Sequence, residues 1–229
     1  MGLRPDQHST LVVRALASRP KWEAGEREAL LDALKTFDVP HVRRAATEAM
    51  TAHPHADFVA PLVAMLKTLP ADDAMTRYSA RVALRNCLRD ADGWKAVAAA
   101  DVPVMADVAL GVPSADSAKF VAKSLRAAAN DAQREAMAFH IGRYGDAAER
   151  RPVVTSVPRL AADAAELAVH RELFKGMAAG GKSLTPDESQ EYHQLARVLT
   201  ETAPKTNPAL VRGLVETYAA LPAATAGDA

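Results

Sequence analysis

This chain of 229 residues has a single cysteine, few aromatic residues (5%) and no excess of charge of either sign. It also has no run of about 18 apolar residues, so no segment reads as a transmembrane helix. Cys87 alone excludes an internal disulfide and gives no redox compartment. Basic and acidic residues balance at 28 each, which argues against nucleic acid as a partner. Runs rich in Val, Ile, Thr and aromatics are nearly absent, so strands are not expected. The one candidate is VVTSV, Val153 to Val157, closed in by Pro152 and Pro158. Met1 to Pro20 lacks a continuous apolar stretch and carries Arg4 and Arg14, so it does not read as a signal peptide. The chain reads as if it begins inside an array, and a fragment of a larger protein is expected.

What is present is alanine-rich apolar content, 49% of the chain in all. Alanine is the best helix former, and small side chains let helices pack closely. The expectation is an all-α protein.

A repeat gives that expectation its form. Asp38 to Met50 reads DVPHVRRAATEAM, with Val42, Ala45, Ala46, Ala49 and Met50 at helical spacing. Thirty-four positions on, Asp72 to Leu84 reads DDAMTRYSARVAL. Asp72 matches Asp38, Arg77 matches Arg43, Ala80 matches Ala46, Ala83 matches Ala49 and Leu84 matches Met50. An apolar helix precedes each copy, at about 26–36 and 57–69. A looser third pair is expected at 104–110 and 117–126. Irregular helices follow at about 131–144, 158–177, 186–202 and 208–220, and the tail 222–229 reads as frayed. Thr185-Pro-Asp-Glu188 is a capping box with proline at the first helical position, and Asn207-Pro208 is a second helix start. Gly145 and Gly180-Gly181 are stops. One such hairpin cannot bury its apolar face alone, whereas stacked neighbours share a continuous core. Residues 1–229 therefore read as one helical-repeat domain of about 10–11 helices, regular over about 20–130, in which Ala46 and Ala80 fill equivalent places.

The D-x-P-x-V-R-x-A-A-x-x-A pattern at Asp38 to Ala49 resembles the second helix of a HEAT repeat. That resemblance implies a right-handed α-α superhelix, an ARM-type solenoid. It also implies that Asp38 with Arg43, and Asp72 with Arg77, form a ladder between repeats. A narrower resemblance rests on RPKWEAGEREALLDALKTFDVPHVRRAATEAM, TRYSARVALRN and EAMAFHIGRYGD. These resemble the HEAT segment of planctomycete-type multidomain haem-binding dehydrogenase-like proteins, in which a β-propeller precedes and a c-type cytochrome domain follows. That setting implies a periplasmic or secreted protein; without it a cytoplasmic one is expected. The chain has no C-x-x-C-H, so no haem can be attached covalently to it, and no cofactor is expected.

Among chemical motifs, GMAAGGKS (Gly176 to Ser183) fits the phosphate-binding pattern G-x-x-x-x-G-K-[ST]. That chemistry needs a strand before the loop and a helix starting at Lys182-Ser183. The preceding AAELAVHRELFK is helical in pattern, so a helix end is the better reading. His53, His55 and Asp57 could pinch a metal, yet residues in one turn rarely converge on one ion, and no metal site is expected. His140 and His170 sit among apolar residues and read as hydrogen-bonded core histidines. Cys87 falls on the apolar face of its helix with Ala80, Ala83 and Leu84, where a thiol behaves as a small hydrophobe. Glu26, Glu28, Glu48, Glu188 and Glu191 read as solvated faces and caps. No nucleophile, base and orienting group stand out together, so no enzyme activity is expected.

The basic residues are the remaining signal. Arg77, Arg81, Arg85 and Arg89 recur every fourth position, Arg43 and Arg44 match them one repeat earlier, and Lys119, Lys123 and Arg126 lie on the third pair. In HEAT-type solenoids second helices line the concave face. These side chains could attract an acidic peptide, a polyanionic sugar or phosphate backbone, or could be spent in salt bridges. Trp22 and Trp94, each just before a first helix, are expected to staple repeats. The leading expectation is a non-catalytic module that binds a protein, a peptide or neighbouring domains of its own polypeptide. The alternative is an anion-binding groove.

Overall fold

The computed structural model describes residues 5–22, 24–36, 39–98, 101–154, 164–193 and 208–219. Every regular element among them is a helix. Val153 and Val154 close a helix, and the rest of the VVTSV segment lies outside the described residues. So do Asp38, Asn207, the tail 222–229, and the parts of two expected helices at 158–163 and 194–202. No described helix is long and apolar enough to cross a membrane.

The chain divides into two compact units, Met1–Val112 and Pro113–Ala229. The expected third hairpin is thereby divided, its first helix closing one unit and its second opening the other.

In the first unit the helices are α1 (Pro5–Ala17), α2 (Ala24–Thr36), α3 (Pro40–Ala52), α4 (Val59–Thr68), α5 (Ala74–Cys87), the short α6 (Ala91–Lys95) and α7 (Val102–Leu110). Helix α3 packs on α1 at one side and on α5 at the other. Helix α2 lies against α3, and α4 against α5, while α7 touches both α4 and α5. The repeat register survives in the burial pattern. Val42, Ala45, Ala46, Ala49 and Met50 of α3 are buried, and so are Thr76, Ser79, Ala80, Ala83 and Leu84 of α5, at the same spacing. Ala46 and Ala80 are both 0% exposed. Alanine at these positions lets α3 and α5 approach closely.

In the second unit the helices are α8 (Ala115–Ser124), α9 (Asp131–Tyr144), α10 (Ala147–Val154), α11 (Ala164–Ala179), α12 (residues 186–193) and α13 (Pro208–Ala219). Its core is the crossing of α9 with α11, which α8, α10 and α13 flank. Glycines set the separation at this crossing. A Cβ on Gly142 would strike the carbonyl oxygen of Leu173, and one on Gly176 that of Phe139. Side chains locate the helix starts: Asp73 accepts from the Thr76 amide (3.2 Å), Ser114 from Ser117 (3.1 Å) and Asn130 from Gln133 (2.9 Å). The capping box at Thr185 forms reciprocally. The Thr185 amide donates to Glu188 (2.8 Å), and the Glu188 amide donates to Thr185 Oγ1 (3.3 Å).

Helices α1, α6 and α10 add to the sequence reading. Helix α1 turns Val13, Leu16 and Ala17 inward, a stripe that the adjacent exposed Leu11 and Val12 mask in the sequence, and α10 holds Pro152 inside eight residues.

Candidate interaction surface

The arginine stripe of α5 faces its neighbours. Arg77 donates to the carbonyls of Leu69 (2.9 Å) and Pro70 (3.2 Å), closing the C-terminal end of α4. Arg81 pairs with Asp107 of α7 at 3.1 Å. Arg85 reaches the Asp107 carbonyl at 3.5 Å, and its guanidinium lies over Gly111. A Cβ at Gly111 would collide with it. Arg89 is exposed beyond the helix end. Arg44 forms an i,i+4 pair with Glu48 at 2.8 Å, and Arg43 is half-buried. Lys119 and Lys123 are exposed on α8, which belongs to the other unit. The basic residues therefore do not gather within one unit as a free stripe. Three successive arginines of α5 hold α4 and α7 in place.

Of the expected ladder, Asp38 lies outside the described residues, which leaves Asp72 and Arg77 to compare. Arg77 bonds within its own helix pair, and Asp72 is exposed in the turn. Other side chains make the links from one pair to the next. His53 bonds the Ala17 carbonyl at the end of α1 (3.1 Å), and Asn86 donates to the Thr51 carbonyl at the end of α3 (3.0 Å). Lys67 pairs with Asp101, thirty-four residues on. The two tryptophans work alike. Trp22 donates to Leu16 and Trp94 to Leu88, each at 2.8 Å and each to a carbonyl six residues back. Trp22 also stacks on His53 at 4.2 Å.

Residues singled out for chemistry are engaged elsewhere. His53 faces α1, whereas His55 contacts Asp57 (3.1 Å) and Arg27. Among the described residues no three His, Cys, Asp or Glu side chains come together as a metal's donor set. Cys87 is buried, and burial pushes its thiol up to about 11. The GMAAGGKS segment is the end of α11. Gly176 is helical and pressed on α9, and the Lys182 amide bonds the Met177 carbonyl (2.9 Å) while Gly181 bonds Ala178 (3.1 Å). With Gly181 at φ 64°, this is a Schellman helix stop. The Lys182 ammonium donates to the Gly145 carbonyl, and burial together with Arg150 lowers its pKa.

Exposed large apolar side chains occur on α1 (Leu11, Val12), α13 (Val215) and α5, and those of α5 border a groove. Met75 is 53% exposed and Tyr78 65% exposed, both on α5. With Val82 they border a shallow groove of about 300 Å³ whose other wall is Arg44, Glu48 and Thr51 of α3. The repeat register shows what changed: His41, Arg44 and Glu48 stand in the first copy where Met75, Tyr78 and Val82 stand in the second. Three polar outward positions have become apolar. That substitution was the available sequence signal, and periodicity alone passes over it because it falls off the buried stripe. Two larger clefts are charged: one of about 470 Å³ beside α10 is bordered by Arg151, Asp187, Glu188 and Glu191, and one of about 780 Å³ beside the turns after α3 and α5 by His55, Asp57, Arg89, Asp90 and Asp92.

No family model, no curated protein and no solved structure matches this chain. Its function is therefore argued from the geometry above.

Proposed function

We propose that this chain is a HEAT-like helical-repeat module that binds a protein or peptide without catalysis, as a scaffold or as a spacer within a larger polypeptide. The observation that carries the reading is the shared register of α3 and α5, with five core positions buried in both helices at one spacing. The succession α1, α3, α5 and the links from His53 and Asn86 to the preceding helix support a right-handed α-α superhelix built on that register. The groove between α3 and α5 is the proposed docking place. Its apolar side chains lie outside the core, and exposed Tyr and Met are favoured anchors for partners. A photo-crosslinking residue placed at Tyr78 or Met75 is expected to capture one and the same protein, and Val82→Glu is expected to abolish that capture. Capture no greater than from a crosslinker at Lys119 removes the reading.

The anion-groove alternative is tested by removing three arginines of α5 together. With Arg77 and Arg81 bonded inside the unit, the triple variant Arg77→Gln, Arg81→Gln, Arg85→Gln is expected to leave heparin retention at low salt unchanged. It is expected instead to lose about 2–4 kcal/mol of stability, chiefly through the carbonyls of α4 left without their charged donor. Lost retention in a variant that still folds would favour the anion reading. For the phosphate-binding motif, millimolar Mg-ATP is expected to leave the melting temperature of the wild type and of Lys182→Ala alike unmoved. A shift abolished by Lys182→Ala would restore the nucleotide reading.

A further inference from the structure

The second unit holds two buried histidines, each bonded to a hydroxyl on another helix. His140 of α9 is 4% exposed and meets Ser117 of α8 at 2.9 Å. His170 of α11 is 0% exposed and meets Tyr192 of α12 at 2.8 Å. The two sites are built alike. His140 lies against Tyr144 (ring centroids 4.8 Å apart), and His170 against Phe174 (6.5 Å), in each case four residues on. Tyr192 adds an edge contact to Phe174 at 4.8 Å. Each histidine thus ties a peripheral helix to the α9–α11 pair. We propose that His140 and His170 form an acid-sensitive clasp, in which proton uptake releases α8 and α12 from the α9–α11 core while the first unit stays folded.

The charges around both rings favour this outcome. On its own helix His140 has Arg143, a like charge for an imidazolium. Helix α10, which packs on α8 and α9, brings Glu149 and Arg150, but Glu149 bonds the Asp146 amide and Arg150 pairs with Glu188. Around His170, α9 brings Arg134, which pairs at 2.5 Å with Glu166 one turn before the histidine. Helix α13 brings Glu216, taken by Arg171 at 2.8 Å. Helix α12 brings Glu188, held by Arg150, and His193, bonded to the Ser189 carbonyl. Glu149, Glu166, Glu188 and Glu216 are thus each bonded to another donor, while Asp116 beside Ser117 and Glu191 beside Tyr192 are exposed.

The sign follows from the shifts. An unfolded imidazole takes its proton near 6.5. Burial, with Arg143 adding to it, pushes His140 down to about 4; burial, with Arg134, pushes His170 down to about 3. The closed form is therefore fully favoured above pH 6.5 and loses ground as pH falls from there toward 4 and 3. At pH 5 each histidine shifts the closed-to-open ratio by about 30-fold. The other hold on α12 responds later. Burial alone would raise the Glu188 carboxyl, but its bonds from Arg150 and Thr185 outweigh that and keep it below its ordinary value.

Hydrogen exchange of the intact chain at pH 7 and pH 5, corrected for the intrinsic rate, tests the clasp. Protection in 115–124 and 186–193 is expected to fall by about 20-fold each, with α3 and α5 unchanged. His170→Gln keeps a polar partner for Tyr192 that cannot take a charge, so it should remove the acid response of 186–193 and leave that of 115–124. If that variant fails to fold, Tyr192→Phe serves instead: it keeps the histidine and should keep the acid response on a lower baseline. Ring-nitrogen NMR on the wild type gives a direct reading, with both imidazoles expected to stay neutral at pH 5.5. Equal loss in α3 and α5 would mean general acid unfolding, and unchanged protection at pH 5, or either ring titrating near 6.5 in the closed form, overturns the proposal.

Discussion

Glu188→Gln is expected to cost the second unit about 3–5 kcal/mol, a large share of the stability of a unit this size. Glu188 and Arg150 form a two-point pair, Nε to Oε1 at 2.8 Å and Nη2 to Oε2 at 2.9 Å. Their side chains are only 7% and 4% exposed. Glutamine retains an acceptor for the Thr185 amide, so the cap survives and the change isolates the charge. It leaves the Arg150 guanidinium buried beside a neutral amide, and an uncompensated buried charge accounts for most of the penalty. The double variant Arg150→Met, Glu188→Gln should then recover to within about 1–2 kcal/mol of wild type, because the ion pair itself gains little over apolar packing. Urea unfolding followed by circular dichroism measures both. A single variant no less stable than the double would show that the pair is exposed to water in solution.

Gly142→Ala carries the second large effect, and two opposing terms decide its sign. Alanine in a helix interior gains about 1 kcal/mol over glycine. At Gly142 the added methyl meets the carbonyl oxygen of Leu173 on α11. That oxygen belongs to a helical backbone and cannot turn aside as a side chain would. The crossing must open, at an overpacking cost of about 1–3 kcal/mol or more, and buried contacts along α9 and α11 are lost with it. The contact is with backbone and well inside van der Waals distance, so the cost lies at the upper end, about 3 kcal/mol or more, and a net loss of about 2 kcal/mol or more is expected. Gly25→Ala is the control. It lies in α2 with nothing within 4 Å of the added carbon, and is expected to be neutral or to gain up to about 1 kcal/mol. Destabilisation equal to that of Gly142→Ala would place the cause in the backbone and not in the crossing.

The parts of this fold legible in the sequence are those that local chemistry decides. The pairing of Ala46 with Ala80, the reciprocal cap at Thr185 and Glu188, and the stop at Gly181 each follow from residues within one turn or from a repeat of the same residues. What stayed hidden depends on partners distant in the chain. Glu188 reads as a cap, and is one, but Arg150 is thirty-eight residues away and nothing near either residue announces their pairing. Arg81 and Arg85 read as a charged face because periodicity cannot show that α7 covers it with Asp107 and Gly111. Gly176 and Gly181 match the phosphate pattern because glycine spacing looks the same whether it serves a ligand or the fold. A Cβ on Gly176 would meet the Phe139 carbonyl of α9, and Gly181 takes φ 64° to end the helix. The groove at Tyr78 is the reverse case. Its signal lay in the difference between two copies, and a search for what repeats discards differences.

The placement of Trp22 and Trp94 has a practical consequence. The chain has two tryptophans, and both lie within Met1–Val112, each with its indole N–H bonded to a carbonyl at the end of the preceding helix. Indole emission therefore reports on that half of the molecule alone, while the other half is silent at wavelengths that excite only tryptophan. The native chain thus carries its own optical marker for deciding which half responds first to heat, denaturant or acid, with no label attached.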